Sequence, residues 1–509
     1  MDSWNAGYVT DVAYTYGMYR ELTPAILNFV GLVAGIVAPN PSSDLTYCEL
    51  GCGQGFATNL LAAANPRMEF HATDFNPSHI VGARSLADAA GTRNVHFHDS
   101  SFAEFGATPG LPNFDIIALH GIYSWINAEN RQHIVNFIKT RLNVGGLVYV
   151  SYNALPGWSA IMPLRRLMAD HAEGLMGPTA VRVEQALAYA QRLADVSPHY
   201  FRVNPVVGER FERIKTLTRN YIAHEYFNRD LTPFYHADVA AELEEAKLSY
   251  VGSANLLDTL DAANLTAEQD ALLKSVSGSR ERETLRDFVL NQQFRRDVYV
   301  KGPVPLNAVE VRQRWLKTRF VLSTRRMLVP NKVTGALGEA TLKDEIYQPI
   351  LNGLADGPRT VEELMSDPKI ESVGWGRVLQ ALTVLVGSGH LQPALDRAGD
   401  GERLERAKAF NMAVIEKARA SDLYQYLAAA VSGGAVAVDR ISQLFLFAAQ
   451  HNSDNPPALV WEQLKAVGQS LMREGNTLET PEENLAEVEM LFERFKANQL
   501  PVFRSIGVV

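Results

Sequence analysis

A glycine-rich turn between a strand-like segment and a helical segment constrains the fold of this chain more than any other feature. Residues 46–50 (TYCEL) are rich in strand formers, residues 51–55 (GCGQG) form the turn, and residues 56–64 (FATNLLAAA) have a helical composition. Because glycine has no Cβ, the backbone of such a turn can approach a ligand closely, and the start of the helix favours an electron-rich group. The pattern predicts a nucleotide-binding unit within an α/β fold.

The turn departs from two common nucleotide-binding signatures. A dinucleotide fingerprint G-x-G-x-x-G/A counted from Gly51 needs a small residue at position 56, where Phe56 stands. The phosphate-binding pattern G-x-x-x-x-G-K-[ST] occurs nowhere in the chain. The sequence therefore disfavours both a NAD site and a P-loop.

Four more strand-like segments follow the turn, separated by helical segments. The alternation predicts a doubly wound, parallel sheet, and ligands in such sheets bind at the carboxyl ends of the strands. Gly51, Asp74, Asp99 and His120 all fall at such ends, and a carboxylate at Asp74 can accept both hydroxyls of a ribose. The strand-like segments are residues 68–74, 94–100, 113–119 and 145–152, with helical segments at 77–90 and 128–142.

The segment 49–55 (ELGCGQG) resembles the E/D-x-G-x-G-x-G first motif of the class I S-adenosylmethionine-dependent methyltransferases. The resemblance implies a seven-stranded, Rossmann-like sheet and S-adenosyl-L-methionine (AdoMet) as the cofactor. It also implies that the turn glycines border the methionine part of AdoMet, that Asp74 holds the ribose, and that Asp99 with Ser100 lies at the adenine. The expected cofactor-binding residues are Glu49, Gly51, Gly53, Gly55, Asp74, Phe75, Asp99, Ser100 and His120.

A narrower resemblance covers about residues 8–300. Segments 11–19 (DVAYTYGMY), 152–158 (YNALPGW) and 224–227 (HEYF) are similar to bacterial methyltransferases that carry a methyltransferase regulatory domain. That family includes protein-lysine methyltransferases that act on surface proteins of intracellular bacteria. The resemblance implies a protein substrate methylated on lysine.

Aromatic residues precede strand one and follow strands four and five, which favours an acceptor site for a cationic amine. Aromatic faces stabilise methylated amines and the sulfonium, and apolar surroundings ease the loss of the lysine proton. The stretch 120–125 (HGIYSW) lacks the [DN]-P-P-[YF] sequence common in enzymes that methylate amides or base amines. We expect the proton to leave through water, with His120 as its acceptor and His224 or Glu225 as alternatives. The expected acceptor-site residues are His120, Tyr14, Tyr16, Tyr123, Tyr152 and Trp158.

The remainder of the chain predicts accessory domains around this core. We expect a methyltransferase domain over residues 1–303, including a helical insertion at about 160–230 and a regulatory-type segment at about 205–300. Within this domain, the sequence predicts helices over residues 160–194 and 209–223 and a late strand over residues 294–301. Residues 304–400 predict a winged-helix-like module, and residues 401–509 predict a mainly helical C-terminal domain. Over residues 346–394 of this module, five acidic residues stand against three basic ones, so a protein contact is favoured there over nucleic acid.

Composition narrows the class of protein further. The net charge of -9 argues against a protein that coats nucleic acid or an anionic membrane, and the sequence predicts no membrane span. Two cysteines in 509 residues predict a cytoplasmic protein without a disulfide framework and without a metal site. A homodimer is compatible with these features.

Two alternatives to a lysine methyltransferase stay open at this stage. A small-molecule N- or O-methyltransferase would use the insertion as a lid over a closed pocket. A non-catalytic AdoMet-binding regulator would explain the winged-helix-like segment, although it makes no use of the aromatic residues.

Overall fold

The computed structural model describes residues 16–509, and a seven-stranded mixed sheet lies at its centre. The strand order is β3-β2-β1-β4-β5-β7-β6. Strands β1 to β5 run parallel, whereas β7 pairs antiparallel with both β5 and β6. The strands are β1 (Thr46–Leu50), β2 (Glu69–Asp74), β3 (Val95–Asp99), β4 (Phe114–Leu119), β5 (Leu142–Asn153), β6 (Leu248–Ser253) and β7 (Phe294–Lys301).

Helices cover both faces of this sheet, which confirms the doubly wound, Rossmann-like prediction. Local signals set the ends of α3: the Asn76 side chain accepts a hydrogen bond from the Ser78 amide, Pro77 occupies the first turn, and Gly91 ends the helix in the left-handed conformation. All nine residues of helix α2 are buried, so other elements pack against every face of this helix. The first helices are α1 (Pro24–Val33), α2 (Phe56–Ala64), α3 (Pro77–Ala90), α4 (Phe102–Gly106) and α5 (Ala128–Arg141).

The insertion after β5 is helical as predicted, but it contains more and shorter helices than expected. The helix expected over 160–194 is interrupted between Gly174 and Pro178, where Gly177 has a φ of +114°. The helix expected over 209–223 also divides, because Thr218 caps a new helix by accepting a hydrogen bond from the Tyr221 amide. The insertion contains α6 (Met162–Glu173), α7 (Thr179–Asp195), α8 (His199–Val203), α9 (Pro205–Thr216) and α10 (Arg219–Tyr226). The sheet is then completed with α11 (His236–Glu244), α12 (Asp261–Asn264), α13 (Ala267–Ser275) and α14 (Ser279–Leu290).

Residues 304–400 form helices with a small three-stranded sheet. The strand that follows the longest of these helices pairs antiparallel with β8, which comes between the first and second helices of the region. The chain then continues into α20 (Asp400–Ala418). A wing made from a hairpin after that helix is absent from this described part of the chain, so the winged-helix assignment is not confirmed. The elements are α15 (Ala308–Lys317), β8 (Arg319–Leu322), β9 (Lys332–Gly335), β10 (Gly338–Thr341), α16 (Asp344–Gly353), β11 (Arg359–Thr360), α17 (Val361–Met365), α18 (Pro368–Glu371), α19 (Trp375–Gly387) and β12 (Leu391–Ala394).

The C-terminal region is mostly helical, as predicted, and it packs directly on the sheet domain. The Phe56 and Phe410 rings lie 6.0 Å apart, and the Asn65 side chain donates to the Gly433 carbonyl at 2.7 Å. One continuous apolar core contains residues from all three expected domains. Besides α20, the region contains β13 (Tyr426–Ala429), β14 (Gly434–Ala437), α21 (Arg440–Gln450), α22 (Pro456–Ala466), β15 (Met472–Arg473), β16 (Asn476–Thr477), α23 (Pro481–Arg494) and α24 (Leu500–Ile506).

Candidate functional site

The turn after β1 requires glycine at Gly51 because its backbone is left-handed and a neighbouring side chain lies against it. The φ of Gly51 is +76°, and a Cβ there would lie 2.3 Å from Cδ1 of Ile122. The Gly51 and Cys52 amides donate to the Thr73 carbonyl, which ties the turn to the end of β2. The turn is therefore a fixed part of the cavity wall.

Gly55 has a packing role in the structure and does not border the cavity as expected. Its φ is +63°, and a Cβ would lie 2.5 Å from Cβ of Ala83 and 2.7 Å from Cε1 of Phe97. Gly55 thus lets α2 begin close to α3 and β3. The expected contact with the methionine part of the cofactor is not supported at this residue, whereas Gly51 and Gly53 do line the cavity.

Asp74 at the end of β2 organises the neighbouring backbone. One carboxylate oxygen accepts from the Gly53 amide and the other from the Asn76 amide, both at 2.9 Å. His79 Nδ1 lies 3.2 Å from the oxygen that Asn76 contacts. The oxygen that the Gly53 amide contacts has a second lone pair, so Asp74 can still accept a ribose hydroxyl while it holds the turn.

These elements enclose a cavity at the carboxyl ends of the strands. Gly17, Tyr19 and Leu22, which precede the sheet, contribute to its lining, and the Tyr47 hydroxyl holds this segment by donating to the Leu22 carbonyl at 3.0 Å. Residues that follow β4 also contribute to the lining. The lining comprises Gly17, Tyr19, Leu22, Glu49, Gly51, Cys52, Gly53, Gln54, Phe56, Ala57, Asp74, Phe75, Asn76, His79, Ser100, Ser101, Phe102, His120, Gly121, Ile122, Trp125, Ile126, Asn127, Asn130 and Asp230.

Glu49 supplies a buried carboxylate to this cavity. The Thr58 hydroxyl donates to it, and burial nevertheless raises the pKa of Glu49 to about 7. A positively charged ligand beside Glu49 would stabilise the ionised carboxylate. The cavity is thus suited to a cationic group near the turn.

His120 is held rigidly by aromatic neighbours. Its ring stacks on Tyr19 with centroids 3.6 Å apart, and Nδ1 lies 2.8 Å from the Tyr149 hydroxyl. Burial, followed by the positive charge of Arg296, lowers the pKa of His120 to about 3. The imidazole is therefore neutral at neutral pH and is a weak proton acceptor, which argues against the predicted role of base.

The cavity fits the cofactor expected from the sequence. Asp74 would accept hydroxyl groups, Glu49 would stabilise a positive charge, and Phe75 with Phe102 would provide apolar surface for a purine. Gly51 and Gly53 line the cavity, and because neither has a side chain, a ligand can approach the backbone of the turn there.

Comparison with known proteins identifies the family. A model described as a methyltransferase domain matches residues 41–185, and one described as a predicted methyltransferase regulatory domain matches residues 218–301. The uncharacterized protein sll1526 of Synechocystis sp. is 43% identical over 506 residues, which is 99% of this chain and 100% of that protein. This chain belongs to the class I AdoMet-dependent methyltransferases with a regulatory domain. The enzyme's cofactor is S-adenosyl-L-methionine.

Two more distant proteins are similar to this chain. The uncharacterized protein RP789 of Rickettsia prowazekii is 25% identical over 298 residues, which is 58% of this methyltransferase and 53% of that protein. The structure of PKMT2 from Rickettsia typhi in complex with AdoHcy superposes with a TM-score of 0.69 at 18% identity. That match covers 95% of this chain and 98% of PKMT2, so the two proteins share a fold over nearly their whole length.

Within the methyltransferase, Asp99 does not reach the cofactor cavity. Asp99 is exposed, whereas its neighbour Ser100 lines the cavity. The structure thus places Ser100, and not the Asp99 side chain, in the cavity lining, and the expected contact of these residues with the adenine stays a prediction. The chain turns inward only after the last residue of β3.

Two expected acceptor-site tyrosines are part of the core of the methyltransferase. Tyr123 is fully buried and donates to Glu242, and Tyr152 is fully buried and donates to Asp297 at 2.7 Å. Neither residue lines the cavity. Each ring packs on Phe234 behind the sheet edge, so the expected channel does not form there.

The other expected aromatic residues also lie outside the cavity lining. Tyr16 packs on Tyr424 and Phe56 just behind it, and Trp158 is buried against Tyr226 at 5.7 Å between centroids. Tyr14 lies outside the described residues. The aromatic groups that do line the cavity include Tyr19 and Trp125, which stand next to expected positions in the sequence.

Beside the cavity, α9 and α10 bring together a group that we call the α10 cluster: Trp158, Arg210, Tyr221, Glu225 and Tyr226. The Arg210 guanidinium lies 4.2 Å from the centroid of the Trp158 ring. Burial raises the pKa of Glu225 to about 7, against the opposing positive charge of Arg210. Burial and then the charge of Glu225 raise the pKa of Tyr221, and the cavity-lining Tyr19 contributes to the same shift. Trp158 and Tyr226 share one apolar cluster with the cavity-lining Trp125, so the α10 cluster adjoins the cavity.

The structure also bears on the predictions about membrane spans and cysteines. No helix within residues 16–509 combines the length and the apolar character that crossing a membrane requires. Cys48 and Cys52 are both free thiols. The predicted cytoplasmic location, the homodimer and the absence of a nucleic-acid partner stay predictions.

Proposed function

We propose that this methyltransferase transfers methyl groups to the side-chain nitrogen of lysine in a protein substrate, with AdoMet bound by Gly51, Gly53, Asp74 and Glu49. The observation that carries the proposal is Glu225, a half-buried carboxylate on α10 whose pKa is raised to about 7 by the loss of solvent, although the positive charge of Arg210 opposes the shift. Its raised pKa suits a proton acceptor at neutral pH.

The chemistry of a lysine acceptor matches this cluster. Bound AdoMet supplies an activated methyl group on a sulfonium. A lysine ammonium has a solution pKa of about 10.4, so it must lose a proton before its nitrogen can attack. Glu225 would attract the ammonium and accept that proton, while the rings of Tyr221 and Tyr226 would favour the cationic product.

The similarity to known proteins supports a protein substrate. The fold is shared with PKMT2 over nearly the full length of both chains, and the sequence resembles bacterial protein-lysine methyltransferases. The accessory regions after residue 303 add surface on which a polypeptide could be held. The proposed domain limits remain those expected from the sequence, at about residues 303 and 400.

The direct test is to identify the methyl acceptor. We would incubate the enzyme with isotope-labelled AdoMet and separate protein and metabolite fractions of a bacterial lysate. Mass spectrometry with fragmentation should locate the labelled methyl on lysine. Label only in a metabolite, on carboxylates or in nucleic acid would contradict the lysine proposal and favour the small-molecule alternative, while no label at all would favour a non-catalytic regulator.

Glu225→Gln tests the assigned base. We expect kcat to fall by about 100-fold or more because general-base catalysis is lost, while AdoMet affinity stays nearly unchanged. In the native enzyme kcat should rise as pH increases through about 7, because Glu225 ionises there. The variant should lose this pH dependence.

The matched control is Glu209→Gln, an exposed glutamate on α9, which should behave like the native enzyme. An unchanged pH profile in Glu225→Gln would exclude Glu225 as the base.

A further inference from the structure

A second cluster of ligating side chains lies on the sheet face at β2 and β3, away from the cavity lining. Strand β3 is the edge of the seven-stranded sheet, and the parallel register places His71 directly opposite His96. Because side chains alternate along a strand, Glu69 shares the face of His71, and His98 shares the face of His96. One face of two neighbouring strands therefore carries three histidines and a glutamate.

The atoms of this cluster are already close together. One potential ligand atom from each of Glu69, His71 and His96 lies within 4.8 Å of the other two. His96 Nε2 contacts Glu69 Oε1, and His71 Nδ1 lies 3.3 Å from His98 Nε2. Within residues 16–509, no other set of histidine, cysteine and acidic side chains meets the same spacing.

We propose that Glu69, His71 and His96 bind a divalent transition-metal ion, with Zn²⁺ as the preferred class. Two imidazole nitrogens and one carboxylate oxygen form a common donor set for Zn²⁺ in proteins, and a water molecule would complete four-coordination. The side chains of His96 and Glu69 are 47% and 44% exposed, so this side is open to an incoming ion and to that water. Both side chains can move by the small distance that metal contact requires.

His98 positions the ligand His71. A metal-bound histidine usually engages a hydrogen-bond partner through its second ring nitrogen, which fixes the orientation of the ring. The 3.3 Å contact between His71 and His98 provides that partner. The Phe105 and Phe114 rings pack against His98 and His71 respectively and limit their rotation. The buried side of the cluster is therefore pre-organised, and the ion links the edge strand β3 to β2.

The first experiment measures metal binding to the full-length protein after chelator treatment. Calorimetric titration with Zn²⁺ should give one ion per chain, and Co²⁺ substitution should produce the visible absorption bands of a four-coordinate site. Zn²⁺ should raise the melting temperature, because an ion that binds only the folded state stabilises it. Absence of saturable Zn²⁺ binding, or one ion shared between two chains, would overturn the proposal and leave an ordinary Glu69–His96 ion pair.

Variants then assign the ion to these residues. His96→Ala removes a largely exposed side chain and should abolish both the stoichiometric binding and the Zn²⁺-dependent rise in melting temperature. His98→Ala should lower the affinity for Zn²⁺ by about tenfold and leave the stoichiometry of one ion per chain unchanged, as expected for a positioning residue. The matched control is His133→Ala on α5, which should bind Zn²⁺ like the native protein. AdoMet binding checks the fold of every variant. Unchanged Zn²⁺ binding in His96→Ala, or equal loss in His133→Ala, would overturn the assignment.

Discussion

Asp74 and Asp99 are paired in register at the ends of neighbouring strands, yet only Asp74 lines the cavity. Asp74 also holds the Gly53 amide at 2.9 Å. Asp74→Ala should therefore weaken AdoMet binding by about 1–3 kcal/mol, because the substitution leaves ribose hydroxyls and a turn amide without an acceptor. Calorimetric titration with AdoMet measures this change. The control Asp99→Ala should bind AdoMet normally, and equal loss in both variants would contradict the assignment.

Glu49 should make AdoMet affinity depend on pH. Its pKa is raised to about 7, so the carboxyl is protonated below that pH and ionised above it. The ionised form attracts the positive charge of AdoMet, so affinity should increase as pH rises through about 7, by at most tenfold per pH unit. Glu49→Gln should flatten this dependence. Binding measured from pH 5.5 to 8.5, about 1.5 units on either side of the pKa, tests the prediction; a native curve that is already flat would contradict it.

At the scale of elements, Tyr152 belongs to the core packing of β5. Its hydroxyl donates to Asp297, which also accepts from Arg295 at 3.0 Å. Tyr152→Phe should lower the free energy of unfolding by about 1–2 kcal/mol, because one buried hydrogen bond is lost. It should leave kcat and AdoMet affinity nearly unchanged. Denaturant unfolding and steady-state kinetics measure both effects.

Tyr19→Ala is the comparison for Tyr152→Phe. Tyr19 stacks on His120 and lines the cavity, so its removal should lower kcat or AdoMet affinity. If Tyr152→Phe impairs turnover more than Tyr19→Ala does, the acceptor site lies on the β5 side after all.

At the scale of the whole molecule, α2 connects the cofactor turn to the C-terminal region. Phe410 on α20 packs on Phe56, the first residue of α2. Phe410→Ala should lower the free energy of unfolding by about 3–5 kcal/mol, as for other large core truncations. The control on the same helix is Met412→Ala, because Met412 is 52% exposed and should contribute little.

The shared core also predicts how the whole chain unfolds. Removing residues 304–509 would expose the apolar surface of α2, so the isolated segment 1–303 should be unstable. Scanning calorimetry of the full chain should show one cooperative transition. Two separate transitions, or a stable 1–303 fragment, would contradict the continuity of the core.

The amino-acid sequence by itself determined the sheet, the turn and the position of Asp74. These features are encoded in contiguous segments: the predicted bounds of β1 and β7 match the structure, as do those of α3. Strand periodicity and glycine turns act over a few residues, so they can be read without knowledge of distant contacts. The family motif added the cofactor because it spans one such turn.

Only the tertiary structure decided which side chains reach the cavity. Tyr152 and Trp158 follow the predicted ligand edge in sequence, but Phe234 and Tyr226, both distant in the chain, hold them in the core. The sequence named Glu225 only as an alternative proton acceptor, and its raised pKa comes from burial, which depends on the packing of helices rather than on its neighbours in sequence. Burial and packing arise from residues far apart in the chain, and local patterns carry no record of them.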